Sequence, residues 1–340
     1  MKKIDTMAIF VVVLCAILLI GEVHAYSSAD GRYSSDAYVD GGSIDYSMSA
    51  TGAKEFDVVL LDNGGYTSVT SVYIYYDESF VSTTSERSDT EIGAVDMTEE
   101  YYLDQVEKVL RYRGIADITW VNAEELRSSL ISDVSGSSAV GKGLIAASGA
   151  LPNTVYSGTA SDLILEWISA GGSLYWSGYA VGEYVSGADD VSYVGATELF
   201  TGTSSFNAED SSGNSDTVMR SVFSYEYNRL LYSIDTSTTA RETLCAGYTD
   251  GTYSSTTFVE MGAGQVCILG GEFDSKQVRD LAISVASGLC YCSQILEHVE
   301  GTVNDEYSSE MILPSTTGKL QLYMYMGGYF CVYGKGYEIS

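Results

Sequence analysis

The chain has 340 residues, 45% of them apolar, enough to bury one large core or two ordinary ones and too many for an intrinsically disordered protein. Asp and Glu number 46 against 17 Lys and Arg, a net charge of −29, and such a surface repels nucleic acid and anionic lipid. Solubility in a salty or crowded exterior accounts for this charge; an acidic surface that binds cations is the competing account.

Lys2 and Lys3 precede fourteen apolar residues, Met7 to Ile20, and then Val23-His24-Ala25, with small residues where a signal peptidase reads. Residues 1–25 are therefore expected to be a signal peptide cleaved after Ala25, which makes the protein secreted or displayed at the cell surface. The alternative is an N-terminal membrane anchor, but the apolar run is shorter than the roughly 20 residues that a span requires. Cleavage leaves no stable membrane span. It also leaves five cysteines, Cys245, Cys267, Cys290, Cys292 and Cys331. Cys267 sits in the apolar run QVCIL and is expected to be a buried small hydrophobe. Cys290 and Cys292 are too near in sequence for an easy bridge, and either reaches Cys331 if the C-terminal segment folds back.

Residues 26–45, rich in Ser, Asp, Gly and Tyr, read as a flexible leader. Asp45–Thr51 and Phe56–Asp62 read as two strands divided by a glycine turn. Val72–Tyr76 is a continuous apolar run, the pattern of a strand covered on both faces. Strand and helix then alternate. A helix over 99–113 starts at Thr98 as N-cap, with Glu99 and Glu100 in its first turn, and stops at Gly114. A strand at Asp117–Val121, a short helix near Ala123–Ile131 and a strand at Gly143–Ala147 follow. Thr159 is positioned to cap the next helix, which ends at Gly171-Gly172 before the strand Ser173–Ser177.

Residues 182–216 have little periodicity and read as an insertion. Arg229–Asp235, Thr257–Met261 and Gln265–Leu269 read as strands, and Asp274 with Gln277 as the capping box of a last helix. Lys319–Met326 and Tyr329–Tyr333 flank Gly327-Gly328, a hairpin signal. The fold class expected is α/β: a parallel sheet with helices on both faces over 69–292, plus a small β-sandwich-like domain assembled from 46–68 and 297–340.

VYIYYDES, GLIAASGALP, DLILEWISAGGSLYWSG and GQVCILGGEFDS, in this order, resemble the class I glutamine amidotransferase-like fold, a flavodoxin-like sandwich, over about residues 69–292. Catalytic members of that family place a cysteine on the glycine-flanked turn after the strand that is SLYWSG here, where this chain has Trp176, Ser177, Gly178 and Tyr179. Their His-x-Glu falls just before the last helix, where this chain has Gly271, Glu272 and Phe273. The His298-Val299-Glu300 sequence comes after that helix and does not match. The resemblance thus implies a non-catalytic relative, like the accessory domains of this fold in some glycoside hydrolases and in exported archaeal surface proteins.

Ligands of open parallel sheets bind at the carboxyl ends of the strands, which directs attention to Asp77, Glu78, Ser148, Gly149, Ser177, Gly178, Tyr179 and Glu272. Asp77 and Glu272 could form a carboxylate pair with Ser177 as hydroxyl nucleophile, an extracellular hydrolase acting on a glycan or peptide; alternatively these acids cap helices or face water. Strand tyrosines such as Tyr73, Tyr75, Tyr323, Tyr325 and Tyr329 could stack on sugars, or simply suit a strand. No cofactor is expected, and no metal: the cysteine spacing is not a zinc signature, and Asp210–Asp216 lacks the spacing of a calcium loop. The expected function is a non-enzymatic binding or scaffolding protein of the cell surface, with a protein or a cell-envelope glycan as partner.

Overall fold

The computed structural model describes residues 23–26, 32–82, 91–92, 95–96, 98–214, 218–271, 274–312, 319–326 and 329–339. The chain divides into two compact units, residues 67–292 and residues 1–66 with 293–340. In chain order the elements are β1 (Val23–Tyr26), β2 (Arg32–Asp62), β3 (Ser71–Tyr75), β4 (Glu91–Ile92), β5 (Val95–Asp96), α1 (Glu99–Tyr112), β6 (Asp117–Val121), α2 (Ala123–Gly136), β7 (Lys142–Ala146), β8 (Leu151–Pro152), α3 (Leu163–Ser169) and β9 (Ser173–Gly178). Then come β10 (Tyr184–Ser186), β11 (Val191–Tyr193), α4 (Glu198–Thr201), α5 (Val218–Phe223), β12 (Thr243–Thr249), β13 (Ser254–Met261), β14 (Gly264–Gly270), α6 (Ser275–Ala286), β15 (Gln294–Ile312), β16 (Lys319–Met326) and β17 (Tyr329–Ile339).

Residues 67–292 form an α/β unit on a mixed seven-stranded sheet, ordered β12-β13-β14-β9-β7-β3-β6. Strands β14, β9, β7, β3 and β6 are parallel to their neighbours, while β12 and β13 add an antiparallel edge. Numbered by chain position, the five parallel strands lie in the order 2-1-3-4-5. Both β9 and β14 are buried from end to end, because helices cover the two faces of the sheet. The period of two divides their side chains. Leu174 and Trp176 join the core made with Leu126 and Leu130 of α2 and Ile164 and Trp167 of α3, while Ser177 points to the other face and meets Tyr102 of α1.

The helices start where the sequence offers acceptors. Tyr101 donates its backbone N–H to Thr98 Oγ1 at 3.2 Å. At α2, Glu125 N–H donates to Asn122 Oδ1 at 3.0 Å and Asn122 N–H donates to Glu125 Oε2 at 3.1 Å, a reciprocal cap; the helix runs to Gly136, beyond the expected Ile131, and ends at Ser137 in the left-handed conformation. Two expected caps differ. Thr159 does not cap α3; its backbone N–H and hydroxyl donate to Asp162 at 2.8 Å each, and the helix starts one residue later. Gln277 is buried and donates to the Gly270 carbonyl at 3.2 Å, so Asp274 caps α6 alone through Lys276 N–H. Nor does Arg229–Asp235 form a strand: Tyr232 takes φ 61°, which breaks an extended run, and only isolated bridges such as Phe206–Ile234 remain.

In the other unit, β2 is one strand of 31 residues where two were expected, and it begins inside the stretch read as a leader. Gly52, at φ 82°, sits at a register shift that bends the strand without ending it. Strand β15 follows it antiparallel, from Gln294 opposite Asp62 to Ile312 opposite Ser43. The sheet order is β1-β17-β2-β15, with β16 also on β2. Leu322 of β16 lies opposite both Ser35 and Leu60, so this strand sits between the two ends of β2. Met48, Phe56, Val58, Leu60, Val303, Met311, Leu320 and Leu322 form the core of this unit. The expected Gly327-Gly328 turn lies outside the described residues, and β16 and β17 both take β2 as partner.

Cys267 is fully buried and burial pushes its thiol pKa up, while the Cys290 and Cys292 sulfurs lie 3.4 Å apart, in hydrogen-bond contact and not joined as a disulfide. The side chain of Cys331 lies outside the described residues. Among the described residues no helix is long and apolar enough to cross a membrane.

Candidate functional site

Strand order reverses between β3 and β7, and this is where a parallel sheet opens a crevice. Asp77, just after β3, spends its carboxylate locally. Oδ1 accepts from Ser79 N–H at 2.9 Å and Ser79 Oγ at 2.6 Å, and Oδ2 accepts from Ala123 N–H, in the first turn of α2, at 2.9 Å. Partial burial alone would raise its pKa; these donors outweigh it and hold the carboxyl below the usual range. Glu78 is exposed. Ser148 and Gly149 build a turn: Ser148 Oγ donates to Ala150 O at 2.5 Å, the Ser148 carbonyl accepts from Ser82 Oγ at 2.9 Å, and Gly149 takes φ 69°.

A further acid, Glu99, lies at a helix start and not at a strand end. It is the first residue of α1, half-buried, and burial pushes its pKa up to about 7 against the opposing effect of a hydrogen bond with Ser82. The Thr98-Glu99-Glu100 sequence marks a helix start; only the tertiary fold distinguishes the acid that turns inward from the one that remains in water.

The ends of β9 and β14 are filled. Ser177 is fully buried, with its hydroxyl 3.2 Å from that of buried Tyr102. Trp176 Nε1 donates to Tyr179 O at 2.5 Å, and Gly271 N–H donates to Gly178 O at 3.2 Å. The chain at 227–232 lies against β14: a Cβ on Gly270 would stand 2.1 Å from Leu231 O, and one on Gly271 would stand 2.0 Å from the Tyr227 hydroxyl. Gly178 and Gly271 both use positive φ, 119° and 113°, to make this close approach. Asp77 and Ser177 thus have separate partners, and Glu272 lies outside the described residues. Ser177 is an in-strand residue directed under the sheet, a poor position for attack on a substrate.

Above these filled ends lies a run of five rings. Phe206 meets Tyr232 at 6.2 Å between centroids, Tyr232 meets Tyr179 at 5.0 Å, Tyr179 meets Tyr184 at 5.5 Å, and Tyr184 meets Tyr193 at 5.5 Å. The geometries are tilted or edge-to-face, as ring quadrupoles prefer. Three features hold the row. Tyr179 follows β9 directly, Tyr184 and Tyr193 are opposite partners in the β10–β11 ladder, and Tyr232 is fixed at φ 61°. Tyr193 is 67% exposed and the other four rings are half-buried. Such a surface offers apolar ring faces and phenolic hydroxyls together, while Ser192, which lies opposite Val185 and donates to Asp190 at 3.4 Å, belongs to the other face of the β10–β11 ladder. The row combines Tyr179 from the strand-end set with four rings that sequence reasoning missed. The tyrosines at 179, 184 and 193, in an otherwise Gly-, Ser- and acid-rich stretch, were the available signal.

A separate groove of about 610 Å³ lies between α3, α4 and β13, bordered by Leu165, Glu166, Leu199, Arg241 and Met261. The Arg241 guanidinium is occupied there, donating to the Phe200 and Leu199 carbonyls that end α4, at 2.5 and 3.1 Å. No protein-family model matches the sequence, and no curated protein matches it.

Proposed function

We propose that this is an exported, non-enzymatic binding protein of the cell surface, whose α/β unit has a flavodoxin-like, amidotransferase-like arrangement and holds a glycan of the cell envelope on the row of rings from Phe206 to Tyr193. The single observation that carries the glycan assignment is the row itself: five contacting rings, one of them 67% exposed, over a strand edge that is otherwise closed. The C–H faces of a pyranose stack on such rings, while their phenols match sugar hydroxyls. The flavodoxin-like reading is supported by the 2-1-3-4-5 order of the parallel strands. A non-enzymatic role is supported by the burial of Ser177 and the local engagement of Asp77. The sandwich-like reading of the second unit is supported by the way the ends of β2 enclose β16.

Affinity electrophoresis of residues 26–340 through gels containing envelope polysaccharides tests the proposal. Retardation is expected for the parent protein, and loss of it for Tyr193→Ala and Tyr184→Ala with melting temperatures unchanged. Equal retardation of the variants, or none for the parent, would remove the glycan assignment. Release of new reducing ends that ceases in Ser177→Ala would instead establish a hydrolase.

A further inference from the structure

The strand pair β2–β15 brings together three side chains that lie far apart in sequence. Asp57 is directly opposite Glu300, and His298 is opposite Val59, two residues along, so all three project from one face of the pair. His298 Nε2 lies 2.9 Å from Asp57 Oδ1, across 241 residues of chain. One ligand atom from each of the three residues can be chosen so that all lie within 4.8 Å of one another. The Asp57 and His298 side chains are mostly covered, at 17% and 20% exposure, and Glu300 opens to solvent.

Two carboxylates directly opposite each other on neighbouring strands repel. A cation between them removes that penalty. We propose that Asp57, His298 and Glu300 bind a divalent transition ion of the zinc class. The donor set decides the class: one imidazole nitrogen with two carboxylate oxygens suits zinc and its neighbours, whereas calcium and magnesium take all-oxygen shells. Three protein ligands leave one coordination position open, to be filled by water or by an acceptor group of a binding partner. The −29 net charge raises the local concentration of any divalent cation at this surface. This site is independent of the glycan assignment, since it shares no residue with the row of rings.

The test is calorimetric titration of zinc chloride into chelator-treated residues 26–340, with cobalt(II) absorption as a second readout. One equivalent is expected to bind, with cobalt giving the intense visible bands of a low-coordinate site. His298→Ala and Asp57→Asn should each weaken binding by more than about tenfold. The exposed Glu300→Gln provides a variant whose fold is not at risk, and it should lose affinity and the cobalt bands together. Unchanged zinc affinity in Glu300→Gln and His298→Ala, or binding of calcium in preference to zinc, would overturn the proposal. A heat signal without the cobalt bands would identify adventitious binding by the acidic surface, and would overturn it too.

Discussion

Asp280 shows how a single buried residue can hold a loop in place. Its side chain is fully buried on α6, and its carboxylate accepts from Glu226 N–H at 2.9 Å and from Tyr227 N–H at 2.7 Å. Asp280→Ala leaves these donors without their acceptor and is expected to cost about 2–4 kcal/mol, read by urea denaturation; Asp280→Asn, which keeps an acceptor, should cost less. Burial pushes the Asp280 pKa up to about 7, as it does that of Glu99. Carboxyls of the unfolded chain ionise near pH 4, so between about pH 4 and 7 the folded state holds protons that the unfolded state has released. Their contribution to stability therefore falls as pH rises through that window. Asp77 and Asp162, held low by hydrogen bonds, act in the opposite sense, their stabilisation being lost as pH falls below about 4. The melting temperature is expected to peak near pH 4 and decline toward pH 7. Glu99→Gln should flatten the decline; an unchanged profile in that variant would show that Glu99 does not contribute.

Secondary-structure elements were legible where one short stretch carries the whole signal. The Thr98 cap and the extended apolar runs of β9 and β14 belong to that group. The Asn122–Glu125 cap of α2 is equally local and was missed; Asn122→Ala is expected to destabilise by about 1 kcal/mol in thermal melts. Other elements depend on distant partners. Gln277 has the spacing of a capping residue, but the end of β14 offers it buried carbonyls, and it turns inward. Arg229–Asp235 has a strand-like composition, but its backbone turns at Tyr232 to lie on Gly270. Gly270→Val should force that segment away from the strand end. We expect loss of the Tyr179–Tyr232 contact, seen as altered tyrosine fluorescence, together with weakened retention on polysaccharide gels.

The two compact units make a prediction for the whole molecule. Residues 67–292 contain their own core and a complete seven-stranded sheet, so this fragment is expected to express alone and unfold cooperatively by circular dichroism. The other unit draws its sheet from both chain ends, and neither half supplies it alone. Acidic composition, the apolar N-terminal run and strand–helix alternation can be read from composition and from neighbouring residues, and the sequence by itself determined them. Only the tertiary structure decided that Ser177 faces Tyr102 beneath the sheet, that Glu99 turns inward, that five rings form one row, and that Asp57 meets His298 across 241 residues. The physical reason is common to all four: each depends on which distant segment packs or pairs against the residue, and local periodicity and propensity carry no information about that choice.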